Sequence, residues 1–290
     1  MFTDPQQVGD ALTAVGYLPD LGVATAAYLA LSMRRPLFLE GDPGVGKTAL
    51  AQALAQITNS ELVKLQCYEG IDVSQALYDW NFPRQILHLR AASDRADTAE
   101  VEASLYRREF LIVRPILRAL ESGHAVLLID EIDRADDEFE AFLLEMLAEN
   151  AVTIPELGTI RAQTPPLVVL TSNRTREVHD ALKRRCLYHW VEHPELEREV
   201  EIILQRVPGA AALIAREVAL VVRRLREMGL VKPPGVAESI DWVQALLMVG
   251  ARRLDGEAAA ATLGAAVKYR EDQLRVRREV WPALEELLSQ

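Results

Sequence analysis

The stretch GDPGVGKT, residues 41–48, contains the residue types that hold a chain of phosphates. Its three glycines let the backbone curl so that successive N–H groups point inward at phosphate oxygens. Lys47 supplies a cation for the β- and γ-phosphates, and Thr48 supplies a hydroxyl for Mg²⁺. The apolar PLFL precedes the pattern and the helical TALAQALAQI overlaps and follows it, which is the context that a phosphate-binding loop requires. The predicted loop residues are Gly41, Asp42, Pro43, Gly44, Val45, Gly46, Lys47, Thr48 and Ala49.

Two acids, Asp130 and Glu131, directly follow the continuous apolar run 125–129. Such a run is typical of a strand buried on both faces, and ligands of parallel sheets lie beyond the carboxyl ends of the strands. We predict that Asp130 and Thr48 hold Mg²⁺, and that Asp130 belongs to the nucleotide site. Glu131 is predicted to polarise the attacking water. The alternative is a strand that simply ends in solvated acids.

Asn173 closes another apolar run, PPLVVLTSN, and the basic segment ALKRRC follows it. The amide can reach the γ-phosphate or the attacking water from the side opposite Glu131, whereas a turn asparagine is the alternative. In ALKRRC, Arg184 and Arg185 end a short helical stretch. A planar, permanently charged guanidinium suits the charge that develops on a transferring phosphoryl group. The alternative is a basic helix end that compensates its own dipole.

The surrounding pattern predicts an α/β fold with a parallel sheet. Four strand candidates, PLFLE, ELVKLQ, AVLLID and PPLVVLTSN, alternate with helical stretches from residue 36 onward. Residues 1–34 are predicted to be helical, with Pro5 and Pro19 in first helical turns. After Pro194 only helical spacing remains. We therefore predict an α/β domain over 1–193 and a helical domain over 194–290, with a mobile loop at 92–100.

Composition limits the classes of function. The chain has 290 residues and a formal net charge of −11, which disfavours a protein that coats nucleic acid. Its longest apolar runs are far below the roughly 20 residues of a membrane span, and the N-terminus lacks a signal sequence, so we expect a soluble, cytoplasmic protein. Cys67 and Cys186 are too far apart in sequence for a zinc or redox motif, and buried thiols are expected. The five histidines show no paired ligand spacing.

These segments together resemble an AAA+ ATPase: GDPGVGKT, LLIDE, the strand-terminal Asn173, the distal arginine pair and a following helical domain. Their finer sequence is similar to the MoxR group, and within it to the CoxD-type proteins of carbon monoxide dehydrogenase operons. The segments are, in order, PLFLEGDPGVGKTALAQALA, KLQCYEGIDVSQALYDW, LLIDEIDRADDEFEAFLLEMLAENAVTIPELGTIRA, LTSN and ALKRRCLYHW. The resemblance covers about residues 15–205.

The resemblance implies a P-loop core followed by a small all-helical lid, with ATP and Mg²⁺ as cofactors. It implies a ring, expected to be a hexamer, in which Arg185 reaches the γ-phosphate held by the neighbouring subunit, with Arg184 as the adjacent candidate. It also implies a von Willebrand factor A partner and a metalloenzyme client, such as the molybdenum-copper carbon monoxide dehydrogenase or a related molybdenum hydroxylase. VTIPELGTIRA would form a hairpin near the pore.

Some features leave alternatives open. The insert YEGIDVSQALYDWNFPRQILHLR could display Trp80 and Phe82 to a partner or bury them in the core. Many AAA+ lids supply an arginine to the nucleotide from a helix start, but the corresponding GVAESIDWVQ has none. A nucleic-acid motor shares every ATPase motif, although the acidic charge weighs against it. A scaffold that binds ATP without hydrolysing it is disfavoured by the presence of Glu131, Asn173 and Arg185.

Overall fold

The protein, described here by a computed structural model, is defined over residues 2–92, 104–283, 286 and 288. Its chain forms two compact units that interleave in sequence. The first unit comprises the residues up to 15 together with 19–40 and 48–189, and the second comprises 16–18, 41–47 and 190–290. The predicted domain boundary near Pro194 stays a prediction. Apart from Ala92, the loop predicted at 92–100 lies outside the described residues.

The secondary structure alternates strands and helices as far as residue 190 and is helical afterwards. The strands are β1 (Leu37–Glu40), β2 (Glu61–Gln66), β3 (Tyr78–Trp80), β4 (Leu111–Val113), β5 (Ala125–Asp130), β6 (Ala151–Ile154), β7 (Gly158–Arg161), β8 (Leu167–Ser172) and β9 (Leu187–Trp190). The helices are α1 (Pro5–Ala14), α2 (Leu21–Met33), α3 (Lys47–Ile57), α4 (Val73–Ala76), α5 (Phe82–Ala92), α6 (Pro115–Glu121), α7 (Asp137–Glu149), α8 (Asp180–Arg185), α9 (Leu196–Arg206), α10 (Ala212–Glu227), α11 (Val236–Met248), α12 (Gly256–Ala266) and α13 (Arg270–Glu279).

The main sheet has five strands in the order β2-β5-β8-β1-β9. Strands β2, β5, β8 and β1 pair in parallel, and their register places Gln66 beside Asp130 and Glu40 beside Ser172. The carboxyl ends of these four strands therefore lie along one edge of the sheet. The predicted class, a parallel sheet flanked by helices with helices at the C-terminal end, is confirmed.

The core of the first unit is continuous from the sheet into α7. An apolar stripe of α7 faces this core, with Phe139, Leu143 and Met146 buried and Phe142 and Leu147 partly buried against it. Strands β6 and β7 form the predicted antiparallel hairpin, in which Ile154 pairs with Gly158. The 3.6-residue spacing of the apolar residues in α7 thus lets one face of the helix pack into the core of the first unit.

The second unit is a helical bundle with its own core. Helices α9 to α13 enclose a cluster of apolar side chains in which Trp242 is fully buried, and the Trp242 indole donates to the hydroxyl of Thr262 at 2.8 Å. A buried tryptophan usually finds such a partner for its N–H group. Every helix in the described part of the chain falls short of the combination of length and apolar character that a membrane span requires.

Three details differ from the sequence-based expectations or settle an alternative. Pro19 was expected in the first turn of a helix, but α2 begins at Leu21 and Asp20 caps it by accepting from the Val23 N–H. Strand β9 was not predicted, because its four residues, Leu187–Trp190, lack a regular alternation of apolar and polar types and come just after a basic helix. In the insert, Phe82 is 60% exposed, whereas Trp80 is half-buried and packs on the core.

Candidate active site

The end of β5 brings a carboxylate and two hydroxyls together inside the first unit. The Thr48 hydroxyl donates to Asp130 Oδ1 at 3.0 Å, and the Thr171 hydroxyl donates to the same oxygen at 2.6 Å. Asp130 is the last residue of β5, Thr48 lies in the first turn of α3, and Thr171 lies in the neighbouring strand β8. The two predicted magnesium ligands, Thr48 and Asp130, are therefore hydrogen-bonded to each other. The neighbouring strand β8 adds Thr171, which the sequence motifs did not indicate.

Lys64, on the adjacent strand β2, contacts the other oxygen of Asp130. Its Nζ lies 2.7 Å from Asp130 Oδ2, with 43% of the lysine side chain and 9% of the aspartate side chain exposed. Burial by itself would raise the pKa of Asp130, but the donated hydrogen bonds of Lys64 and Thr171, with the charge of Lys64, hold that pKa below its usual range. Asp130 is therefore ionised, as a metal ligand must be.

Glu131 stands directly beyond β5 in an unusual backbone conformation. Its φ of 57° and ψ of 51° are left-handed, which is costly for a residue with a β-carbon. The Glu131 N–H donates to the Thr171 hydroxyl at 2.9 Å, which stabilises this turn. The Asn173 amide lies 3.5 Å from Glu131 Oε1, and the Arg134 guanidinium lies 3.1 Å from Glu131 Oε2. The structure thus places the predicted acid beside the predicted amide, and adds an arginine.

Asp133 fixes the chain segment that follows Asn173. Its Oδ2 accepts from the Thr175 N–H at 2.9 Å and from the Thr175 hydroxyl at 2.7 Å. Asp133 is only 2% exposed, so these bonds replace part of the hydration that the carboxylate loses on burial, while its Oδ1 has no hydrogen-bond partner among the described residues. Its role in the structure is to tie the segment after β8 to the segment after β5.

Residues 41–46 of the predicted phosphate loop curl as glycine-rich loops do. Gly44 and Gly46 have φ angles of 81° and 98°, which residues with a β-carbon rarely adopt. Lys47 is 7% exposed, and its Nζ donates to the carbonyl oxygens of Gly41 at 2.6 Å and Asp42 at 2.8 Å. The ammonium group is therefore held against the loop that would surround a phosphate chain.

Within the second unit, the loop also contacts residues of the helical bundle. The Val236 N–H, at the start of α11, donates to the Gly44 carbonyl at 3.1 Å. His193 Nε2 lies 3.3 Å from Asp42 Oδ2, while burial first and the Arg226 charge second lower the pKa of His193. Arg226 itself forms a bidentate ion pair with the buried Glu199, with both nitrogen–oxygen distances at 2.7 Å. These bundle contacts were not predicted from the sequence.

The two candidate finger residues lie at the end of α8. Arg184 and Arg185 are both exposed, and neither guanidinium contacts a partner within the described residues. Both guanidinium groups are therefore accessible to another molecule. The role of Arg185, or of the adjacent Arg184, in a neighbouring subunit stays a prediction.

Both cysteines are buried, as expected. Burial raises the pKa of each thiol to about 12, and the carboxylates of Asp130 and Asp133 contribute to this rise at Cys67. Neither thiol is therefore available as a thiolate nucleophile near neutral pH. Among the described residues, histidine, cysteine and carboxylate side chains form no group of three that could hold a metal ion.

The donor set at Asp130 fits Mg²⁺. This ion prefers oxygen ligands and is usually bound by one or two protein groups together with substrate phosphates and water. A threonine hydroxyl and an ionised carboxylate whose oxygens are 3.0 Å apart meet that description, and a larger cluster of acids is not needed.

A parallel sheet with a glycine-rich loop after β1 and an aspartate at the end of β5 is the arrangement of a P-loop fold. Residues 36–186 match the AAA domain family of the dynein-related subfamily. This match covers more than half of the chain, and the protein belongs to that family.

Individual relatives agree with this assignment. The gas vesicle ATPase GvpN1 of Halobacterium salinarum is 25% identical over 206 residues, which are 68% of this chain and 58% of GvpN1. Midasin of Giardia intestinalis is 50% identical over 48 residues, 17% of this chain and 1% of midasin. The chain therefore spans less than two thirds of either of these curated relatives. The Holliday junction branch migration motor RuvB of Thermotoga maritima shares the fold, with a TM-score of 0.51 at 18% identity over 92% of this chain and 79% of RuvB.

Proposed function

We propose that this protein is an ATP-hydrolysing remodeller of the MoxR type that works as a ring. The proposal rests on the hydrogen bond from the Thr48 hydroxyl to Asp130 Oδ1 at 3.0 Å, with Glu131 next to Asp130 in the chain and the Asn173 amide next to Glu131. In this proposal the arrangement pairs two magnesium ligands with an acid that would act on water. The MoxR-like order of sequence segments and the similarity to GvpN1, which is described as an ATPase, support the same function.

In this proposal the loop residues Gly41 to Ala49 bind the phosphates of ATP. Backbone N–H groups of the loop and the N-terminus of α3 donate to phosphate oxygens, and Lys47 adds the charge that pairs with them. Thr48 and Asp130 would hold Mg²⁺, which neutralises charge on the phosphates when it is bound. Lys64 keeps the Asp130 carboxylate ionised and oriented by its contact at 2.7 Å.

Glu131 and Asn173 would act on the attacking water. Glu131 accepts a proton from the water as it approaches the γ-phosphate, and Asn173 orients that water or a phosphate oxygen by hydrogen bonding. The left-handed backbone of Glu131 is fixed by Thr171, so the acid is oriented before the nucleotide binds. Arg134 holds the other Glu131 oxygen at 3.1 Å, and this contact must break or adapt when Glu131 engages water.

Arg185 would complete the site of the neighbouring subunit in a ring, which we expect to be a hexamer. Its guanidinium is exposed and lies at the end of α8, and it would stabilise the charge on the transferring phosphoryl group. Arg184 is the adjacent candidate for the same role. Supplied by a neighbour, this charge makes hydrolysis depend on assembly.

Mixing two inactive variants tests the role of Arg185. Arg185→Ala should lower ATP turnover by about 10³-fold or more, because a finger arginine is worth about that much. Adding Glu131→Gln subunits should restore turnover, since mixed interfaces reunite an intact acid with an intact arginine. Phosphate release is measured across mixing ratios, and subunit exchange is checked with labelled protein.

The exposed Arg270 offers a matched control, because Arg270→Ala removes the same charge far from these residues in sequence. It should leave turnover within about twofold of the unmodified protein, as most surface substitutions have small effects. Mixed rings that stay inactive at every ratio would remove the assignment of Arg185 to the neighbouring site.

We infer that the client is a metalloenzyme precursor, with the molybdenum-copper carbon monoxide dehydrogenase or a related molybdenum hydroxylase as the named candidate. The CoxD-like order of segments motivates this inference, and a von Willebrand factor A protein would be the partner. Hydrolysis biases conformations only through differential contacts, so its output would be a change in the client's fold. We place this activity in the cytoplasm, where ATP is available.

Deletion of the gene in a host that makes the dehydrogenase tests the client. The dehydrogenase should still be synthesised and assembled, but at least about tenfold less of it should carry an active metal centre. Introducing Glu131→Gln at the native locus should have the same effect, because the chain would bind the client without cycling. Metal content and activity of the purified dehydrogenase are the readouts.

Normal metal content and activity in the deletion strain would remove the named client and leave the ATPase assignment in place. Stimulation of the ATPase by DNA or RNA in a salt-sensitive manner would instead support the nucleic-acid motor.

A further inference from the structure

Strand β1 is joined at both ends to the segment that carries the α8 arginines. Before the strand, the Arg35 guanidinium donates to the carbonyl oxygens of Arg184 at 3.1 Å and Cys186 at 3.3 Å. At the end of the strand, Lys183 Nζ lies 3.4 Å from Glu40 Oε1. The backbone carbonyls on both sides of Arg185 are therefore held by Arg35, which precedes the strand, and the Lys183 side chain is held by Glu40 at the end of the strand.

Glu40 is a buried carboxylate for which the motif analysis gave no role. Its side chain is 4% exposed, and a carboxylate at that depth needs a charged or hydrogen-bonding partner. Lys183 supplies the charge and also lies 5.8 Å from the centre of the Phe38 ring in the same strand. The Ser172 hydroxyl at 3.5 Å and the Tyr188 hydroxyl are its other partners. The buried Glu40 carboxylate therefore has one charged partner and two hydroxyl partners, all within the first unit.

The helical geometry of α8 links this contact to the direction of Arg185. Successive residues of a helix are rotated by about 100°, so the side chains of Lys183 and Arg185 leave the helix about 200° apart. When Lys183 is fixed against β1, Arg185 must therefore point away from that strand, and it is exposed. Arg184 leaves the helix between these two directions.

We propose that Glu40 and Lys183 form a positioning pair that orients Arg185 toward the neighbouring subunit. Glu40 is followed directly by Gly41, the first residue of the phosphate loop. The same pair therefore connects the helix that carries Arg185 to the strand that leads into the phosphate loop of the same subunit. This proposal rests on the proposed role of Arg185 in the neighbouring site.

Lys183→Met removes the charge and keeps an unbranched side chain that is only one atom shorter. ATP turnover should fall about 10- to 100-fold, since a small misplacement of a catalytic group has effects of this size. ATP affinity should stay within twofold, because the phosphate loop itself is unchanged. The exposed Lys232 gives a matched control, and Lys232→Met should change neither quantity. Lys183→Arg, which keeps the charge, should retain most of the turnover.

Subunit mixing distinguishes two defects. In one, the variant subunit fails to supply Arg185 to the neighbouring site; in the other, its own ATP site fails. Lys183→Met should regain turnover when it is mixed with Glu131→Gln, whose subunits donate a correctly placed Arg185. It should gain nothing from Arg185→Ala subunits, since both variants then lack a working donor. The reverse pattern, recovery with Arg185→Ala and none with Glu131→Gln, would show that Lys183 serves its own subunit's site and would overturn the proposal.

A double variant controls for the buried charge that Lys183→Met leaves unpaired. Glu40→Gln/Lys183→Met removes both charges, so its thermal unfolding temperature should exceed that of Lys183→Met while its turnover stays equally low. Wild-type turnover in the double variant would overturn the proposal, because the loss would then come from the unpaired Glu40.

The positioning pair and the trans arginine fail in different ways. If Arg185→Ala is not rescued by Glu131→Gln, the trans arginine is wrong and the positioning pair is lost with it. If that rescue occurs but Lys183→Met has wild-type turnover, only the positioning pair is wrong.

Discussion

Lys47→Ala is expected to bind ATP at least about 30-fold more weakly than the unmodified protein. Removing one partner of a buried charge pair costs about 2–5 kcal/mol, and about 2 kcal/mol already corresponds to a 30-fold change in Kd. Lys47 is nearly buried, and its ammonium group lies against the loop carbonyls of Gly41 and Asp42 at 2.6 and 2.8 Å. A bound phosphate chain would replace these neutral partners with charged ones, so the loss should fall on ATP binding.

Isothermal titration with ATP and Mg²⁺ measures this effect, and Lys232→Ala serves as the control because Lys232 is an exposed lysine of the helical bundle. Thermal unfolding of both variants without nucleotide shows whether the loop contacts of Lys47 matter for stability alone. Unchanged ATP affinity in a folded Lys47→Ala protein would exclude Lys47 as the phosphate cation.

Glu131→Gln is expected to bind ATP normally and to hydrolyse it about 10²- to 10⁴-fold more slowly, which is the usual contribution of a positioned general base. The amide keeps the size of the side chain but cannot accept the proton of the attacking water. The Asn173 amide and the Arg134 guanidinium now contact the two oxygens of Glu131. The substitution should therefore alter charge and leave the backbone turn that Thr171 stabilises.

Single-turnover phosphate release, with ATP affinity measured on the same samples, separates the two effects. Glu138 is an exposed acid in the first turn of α7, and Glu138→Gln should show normal binding and turnover. Normal turnover in Glu131→Gln would remove that residue from the proposed mechanism.

The curled loop before α3 and the buried strand β5 could be predicted from short sequence patterns alone. The glycines at 44 and 46 need positive φ angles, and the apolar run before Asp130 forms a strand buried throughout. Because parallel strands end along one edge of the sheet, the strand-terminal positions of Asp130 and Asn173 were sufficient to predict that both lie at that edge.

Contacts between distant parts of the chain were not predictable in the same way. Lys64 and Thr171 contact Asp130 only because β2 and β8 flank β5 in the sheet, and strand order has no signature in a single sequence. Glu40 and Lys183 are likewise remote in sequence, and the basic segment was interpreted through its arginines alone. Strand β9 was not predicted because only Cys186 separates it from a basic helix, with no turn signal between the two.

The central claim is that the chain hydrolyses ATP at a site completed by a second subunit. Phosphate release per subunit, followed with Mg²⁺ and saturating ATP over a wide range of protein concentrations, tests it most directly when molecular mass is recorded in parallel. The account predicts that specific activity rises with concentration and follows the appearance of a ring. Constant specific activity down to concentrations at which the protein is a monomer, or no hydrolysis in assembled rings, would contradict it.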